Sequence, residues 1–191
     1  MACVKRFLDG RGNGLRWFPW FAALLAMGCA HAPRPPCENP PPVYVVLKGS
    51  DRLNPDEKGR PLVTQVLILQ VKGTAKLEGA EFSELTTKPK EVLGDELLSL
   101  NETTVEPAGT TTVGYRRDPK ATAVVVIANF RQPSGFSWRA TAKLPPVDVE
   151  KCPDQPVAPK DAPGATDTVL TFSLEDVRVV NKTPSPKEDG K

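Results

Sequence analysis

The chain contains one histidine, His31, in 191 residues. A Ser-His-Asp or Cys-His arrangement in the body of the chain is thereby excluded, and so is a histidine-based zinc site. Aromatic residues make up only 6% of the composition. Trp138 is the sole tryptophan beyond the N-terminal segment, and it reads as a core residue rather than a ligand platform. There is no G-x-S-x-G elbow, phosphate loop or dinucleotide fingerprint. An excess of charge of one sign is also missing. Lys and Arg number 25 against 23 Asp and Glu, and Lys5, Arg6, Arg11 and Arg16 all precede residue 17. The rest of the chain is close to neutral and offers no basic field for nucleic acid. Asp51, Asp56 and Glu57 share a loop but do not match the D-x-[DN]-x-[DN]-G spacing of a calcium site. Asp148 and Glu150 read as solvated linker carboxylates. No catalytic residue, metal, cofactor or small-molecule substrate is expected, and the chain does not read as an enzyme.

Long apolar runs are lacking too. The uncharged stretch from Trp17 to Ala30 is interrupted by Pro19, and it falls short of the roughly 17–25 residues a membrane-spanning helix needs. Behind the basic residues listed above, it has instead the layout of a secretory signal. Leu24-Leu25-Ala26-Met27-Gly28-Cys29 resembles a lipobox, with small Gly28 before a nucleophilic thiol. Residues 1–28 are therefore expected to be a lipoprotein signal peptide, with Cys29 the acylated first residue of the mature chain. Ordinary cleavage near Ala30–Ala32 is the alternative. Multiple acyl chains on one cysteine anchor a protein stably without a spanning helix. Ala30 and His31 follow the cysteine, where an Asp would favour inner-membrane retention, so the periplasmic face of the outer membrane is the expected location.

Of the four cysteines, Cys3 leaves with the signal and Cys29 takes the lipid. Cys37 and Cys152 remain in an oxidising compartment, where a disulfide between them is expected; two free thiols are the alternative. Proline clusters between Ala30 and Pro42. Residues 29–42 thus read as a lipidated, semi-rigid spacer.

Beyond the spacer the pattern is that of short strands. Val43–Lys48, Val63–Lys72, Leu98–Val105, Thr110–Arg116, Thr122–Phe130, Ser137–Ala142, Thr168–Leu174 and Val177–Asn181 are rich in β-branched residues and bounded by turn signals. Helical spacing predicts two short helices near 79–86 and 89–94. Residues 143–166 read as a linker within a domain spanning 43–181, and 182–191 as a disordered tail. This is an all-β, two-sheet sandwich of about eight strands with a short helical insert.

The loop from Gly49 to Leu62 is far longer than the usual 2–5 residues of a hairpin connection. Its mix of charge and turn residues suits a polar protein interface; an idle surface insertion is the alternative.

Several segments in order resemble one family. They are the lipobox, Leu53-Asn54-Pro55-Asp56 with Gly59-Arg60-Pro61, Leu69-Gln70-Val71, and Phe82-Ser83-Glu84-Leu85 with Leu93-Gly94. Val105-Glu106-Pro107, Ala123–Phe130 with Arg131, and Trp138-Arg139 follow. Together, over residues 43–142, they resemble the outer-membrane lipoproteins of type VI secretion systems, the TssJ family. The resemblance implies a transthyretin-like β-sandwich. It also implies a role: tethering the periplasmic domain of the inner-membrane protein TssM to the outer membrane within a TssJLM complex. In the family the loop between the first two strands docks the partner. Here that loop carries Asp51, Arg52, Leu53, Asn54, Pro55, Asp56, Glu57, Lys58, Gly59 and Arg60. A lipoprotein binding module for glycan, peptidoglycan or another small ligand is the competing reading.

Overall fold

A computed structural model describes residues 37–165 and 167–184. The expected signal peptide, Cys29, the expected spacer up to Pro36 and the end of the expected tail lie outside the described residues. Eight strands form two four-stranded sheets. The first has the order β4 (Thr110–Tyr115), β1 (Val43–Gly49), β7 (Thr168–Glu175), β8 (Arg178–Asn181). The second has the order β3 (Leu97–Val105), β2 (Thr64–Val71), β5 (Ala123–Ala128), β6 (Arg139–Lys143). All pairings are antiparallel except β1 with β7, which runs parallel with Val43 opposite Thr168. The expected β-sandwich is the architecture observed.

Alternation along β7 follows the pleat. Leu170, Phe172 and Leu174 are buried while Val169, Thr171 and Ser173 are half-buried. The central strands behave differently. All six side chains of β5, and all of β2 except Gln65, are buried. A strand sends alternate side chains to opposite faces, so burial on both faces requires two covers. The first sheet supplies one. Three short helices, α1 (Ala75–Glu78), α2 (Phe82–Thr87) and α3 (Pro89–Leu93), supply the other through Leu77, Leu85 and Leu93, which join the same core.

The helical insert differs from the two helices expected. α1 has four residues and one buried side chain, too little to produce a periodic signal. The strand expected at Ser137 begins at Arg139. Ser137 and Trp138 belong to a turn, where the Ser137 amide donates to Ser134 O (3.1 Å) and the Trp138 indole donates to Gly135 O (2.7 Å).

The segment between β6 and β7 is not a free linker. Leu144 is buried, the Lys160 amide donates to the Tyr44 hydroxyl (2.8 Å), and Cys152 is disulfide-bonded to Cys37. Gly114 makes room for this strap: a Cβ there would lie 2.7 Å from the Tyr44 ring and 3.0 Å from Pro159. Among the described residues no helix is long and apolar enough to cross a membrane.

Candidate docking site

β1 ends at Gly49, where the backbone passes so close to the β3–β4 turn that a Cβ would lie 2.5 Å from Glu106 O. Ser50 then joins three segments. Its amide donates to Leu174 O (2.9 Å), its carbonyl accepts from Ala108 N (2.9 Å), and its hydroxyl accepts from Asp176 N (3.2 Å). The first loop, the β3–β4 turn and the β7–β8 turn are thereby bonded to one another at one end of the sandwich.

The loop itself has a buried base and an exposed tip. Leu53 has no exposed surface and Asn54 is 4% exposed. Leu53 O accepts from Leu62 N (2.9 Å), which closes the tip off from the sandwich. Asn54 sits in the left-handed region, with φ 49°, which asparagine tolerates better than most residues. Its amide donates to Asp176 O (2.6 Å), and its side-chain oxygen accepts from Arg131 N (2.9 Å).

Asp56 organises the tip. Its carboxylate accepts from the amides of Lys58 (2.8 Å) and Arg60 (2.9 Å) and from the Arg60 guanidinium (2.7 Å). The bonds from Arg60, backbone first and then side chain, hold the Asp56 carboxyl below its ordinary value of 3.8. Gly59 completes the turn at φ 75°. Arg52 reaches sideways to Asp176 at 2.9 Å. That pair is exposed, so it orients the side chain more than it stabilises the fold.

Of the residues expected to meet a partner, Asp51, Arg52, Glu57, Lys58, Gly59 and Arg60 are exposed, while Pro55 and Asp56 are half-buried. Leu53 and Asn54 are different: their atoms face the protein, and they position the loop. The acidic trio weighed as a cation site is not assembled, since Asp56 is engaged by Arg60 and by backbone amides. Among the described residues no group of three His, Cys, Asp or Glu side chains converges as a metal site. Trp138 is 1% exposed, with its ring against Phe82 (centroids 5.2 Å apart) and under the Arg139 guanidinium (4.9 Å), so it offers no face to a ligand.

Sequence reasoning placed Ser50 in the loop but not its bonds to the two neighbouring turns, and it missed Arg131 and Asp176 as parts of this end of the molecule. None carries a local signal, because their roles come from backbone groups far away in sequence.

The family model for type VI secretion lipoproteins (VasD, EvfM, TssJ, VC_A0113) matches residues 41–170. The chain belongs to this family. Its matched stretch runs from just before β1 into β7 and contains the whole loop from Gly49 to Leu62. The fold is similar to that of the type VI lipoprotein TssJ1 from Pseudomonas aeruginosa. Identity is 18%, the TM-score is 0.60, and the match covers 77% of this chain and 99% of that one. Serratia marcescens Lip, a membrane-bound component of the type VI secretion system, matches at 18% identity and TM-score 0.61, over 74% of this chain and 97% of that one. A chain in the structure described as the TssM C-terminal domain (869–1107) from EAEC matches at 17% identity and TM-score 0.56, over 74% and 97%. No curated protein sequence matches the chain.

Proposed function

We propose that this family member is an outer-membrane-anchored lipoprotein of a type VI secretion membrane complex, acylated on Cys29, which holds the periplasmic domain of TssM. The anchor is covalent lipid, and the work of the protein is attachment rather than catalysis. The observation that carries the reading is the placement of the loop. β1 enters from the lipid side of the chain, a few residues after Cys37, and leaves at Gly49 directly into the docking loop. At ~3.3 Å per residue a strand of this length holds its two ends roughly 20 Å apart. The start of β1, which follows the disulfide-bonded Cys37, and the docking tip therefore lie at opposite ends of the sandwich. A tether needs that arrangement, since a tip facing the bilayer would be closed to a periplasmic partner. Cross-bonding of the tip lowers the ordering cost of association, and anchoring each partner in a membrane that bounds the same periplasm raises their effective concentration for one another.

The test keeps the buried base and alters the tip. Replacing residues 55–61 with a Gly-Gly turn should abolish capture of the periplasmic domain of TssM without lowering the unfolding temperature. Cys29→Ser should leave capture intact and release the protein from the outer-membrane fraction. Undiminished capture by the tip variant would sink the loop assignment.

A further inference from the structure

Phe136 is the most exposed large apolar side chain among the described residues, at 61%, and it is not loosely held. Its ring lies against the Arg139 guanidinium, 4.8 Å from the ring centre, with the Trp138 ring 4.9 Å from the same group. Arg139 is itself fixed, because its guanidinium donates to the carbonyls of Leu77, Glu78 and Ala80 at the end of α1. The backbone around Phe136 is bonded as well. Ser137 Oγ donates to Ser134 O (2.7 Å), and Ser137 O accepts from Val179 N (2.7 Å). A rigid, exposed aromatic on a satisfied turn has little conformational entropy left to lose on binding.

Its position gives that rigidity a use. The β5–β6 connection carrying Phe136 is joined to the docking loop by the bond from Arg131 N to Asn54 Oδ1, and to the β7–β8 turn by Ser137 Oγ donating to Val177 O. Val63, at the root of the same loop, is the second exposed apolar residue at this end, at 54%. Two apolar side chains thus flank a tip that is otherwise charged.

We infer that Phe136 is an apolar anchor for the periplasmic domain of TssM, so that the docking surface comprises the β5–β6 connection together with the 50–63 loop. The partner should present an apolar socket for the ring. This rests on the proposed reading of the loop and extends it to a second segment. Central aromatic anchors carry a disproportionate share of interface energy, and charged tips mostly steer and select.

The test uses the full-length, acylated protein in detergent and the purified periplasmic domain of TssM. Phe136→Ala should weaken binding about tenfold or more. Phe136→Leu should keep most of the affinity, and Val157→Ala, an exposed apolar side chain outside this end, should keep all of it. In the unaltered protein, backbone amides 134–138 should gain hydrogen-exchange protection when TssM is added. If Phe136→Ala binds like the parent while the Gly-Gly tip variant does not, the anchor is refuted and the loop reading stands. If neither variant loses binding, both fall. Unchanged exchange at 134–138, or a Phe136→Ala effect confined to self-association of this chain, also overturns the anchor.

Discussion

The side chain of Asn54 accepts a hydrogen bond from the backbone amide of Arg131, 77 residues further along the chain, at 2.9 Å. That bond ties the first long loop to the β5–β6 connection. Asn54 also occupies a left-handed conformation at φ 49°, so its replacement removes a partner from a backbone amide and adds strain together. Asn54→Ala should cost about 1–3 kcal/mol in chemical denaturation. Leu53→Ala, which empties a fully buried site beside it, should cost about 2–5 kcal/mol. Losses within measurement error would mean the loop base is not packed as described.

Asp56 offers a pH test. Its folded pKa is lowered, chiefly by hydrogen bonds from Arg60. A depressed carboxylate contributes order above its unfolded value and loses it as pH falls through the folded one. The tip should therefore be ordered at neutral pH and loosen only below the ordinary range near 4. Arg60→Ala should move the Asp56 carboxyl midpoint, followed by NMR titration, back up toward 3.8. The Arg60 amide, the larger cause, survives this change, so the rise should be partial, and an unmoved midpoint contradicts the side chain's share of the shift.

Arg139 substitutes for a helix cap. α1 ends with its carbonyls aimed at this guanidinium, and a carbonyl left unpaired away from water is costly. Arg139→Met keeps the aliphatic stem and removes the donors. We expect a loss of about 1–3 kcal/mol, with faster hydrogen exchange at residues 75–80 and little change in β1 or β7. Uniform loosening of the sandwich would count against a local capping role.

The disulfide joins Cys37 to Cys152 across a sequence separation of 115. Mass spectrometry of the intact protein should show a gain of two hydrogens on reduction. The chain-entropy model places the stabilisation near 4–5 kcal/mol for a loop this long, an upper figure. Paired Cys37→Ser and Cys152→Ser replacement should lower the unfolding temperature. It should leave TssM capture unaffected at temperatures where the variant is folded, because the bond lies at the end of the sandwich remote from the tip.

Strand content was legible because β-branched runs bounded by Gly, Pro and Asn report on local geometry. β7 shows its alternation in the sequence and in its burial. α1 was illegible because four residues contain no period. Gln70, next to the last residue of the apolar strand β2, gave no warning of its role. It is buried because Ser99, Arg116 and Asp118 supply its partners at 2.8–2.9 Å, from other elements. The loop was visible by its length, but its division into buried base and exposed tip was not. Leu53 reads in sequence as one apolar residue among polar ones, which fits either place.

The sequence alone determined the class of fold, the lack of any histidine in the chain beyond His31, and the candidate lipid-acceptor cysteine. These depend on composition and on neighbours a few residues apart. Tertiary structure decided which loop residues face outward, that the loop is bonded to two other turns, and that Phe136 stands exposed on a connection bonded to that loop through Arg131. Those properties arise from contacts between residues tens of positions apart, and chain order carries no record of such contacts until the two sheets close on one another.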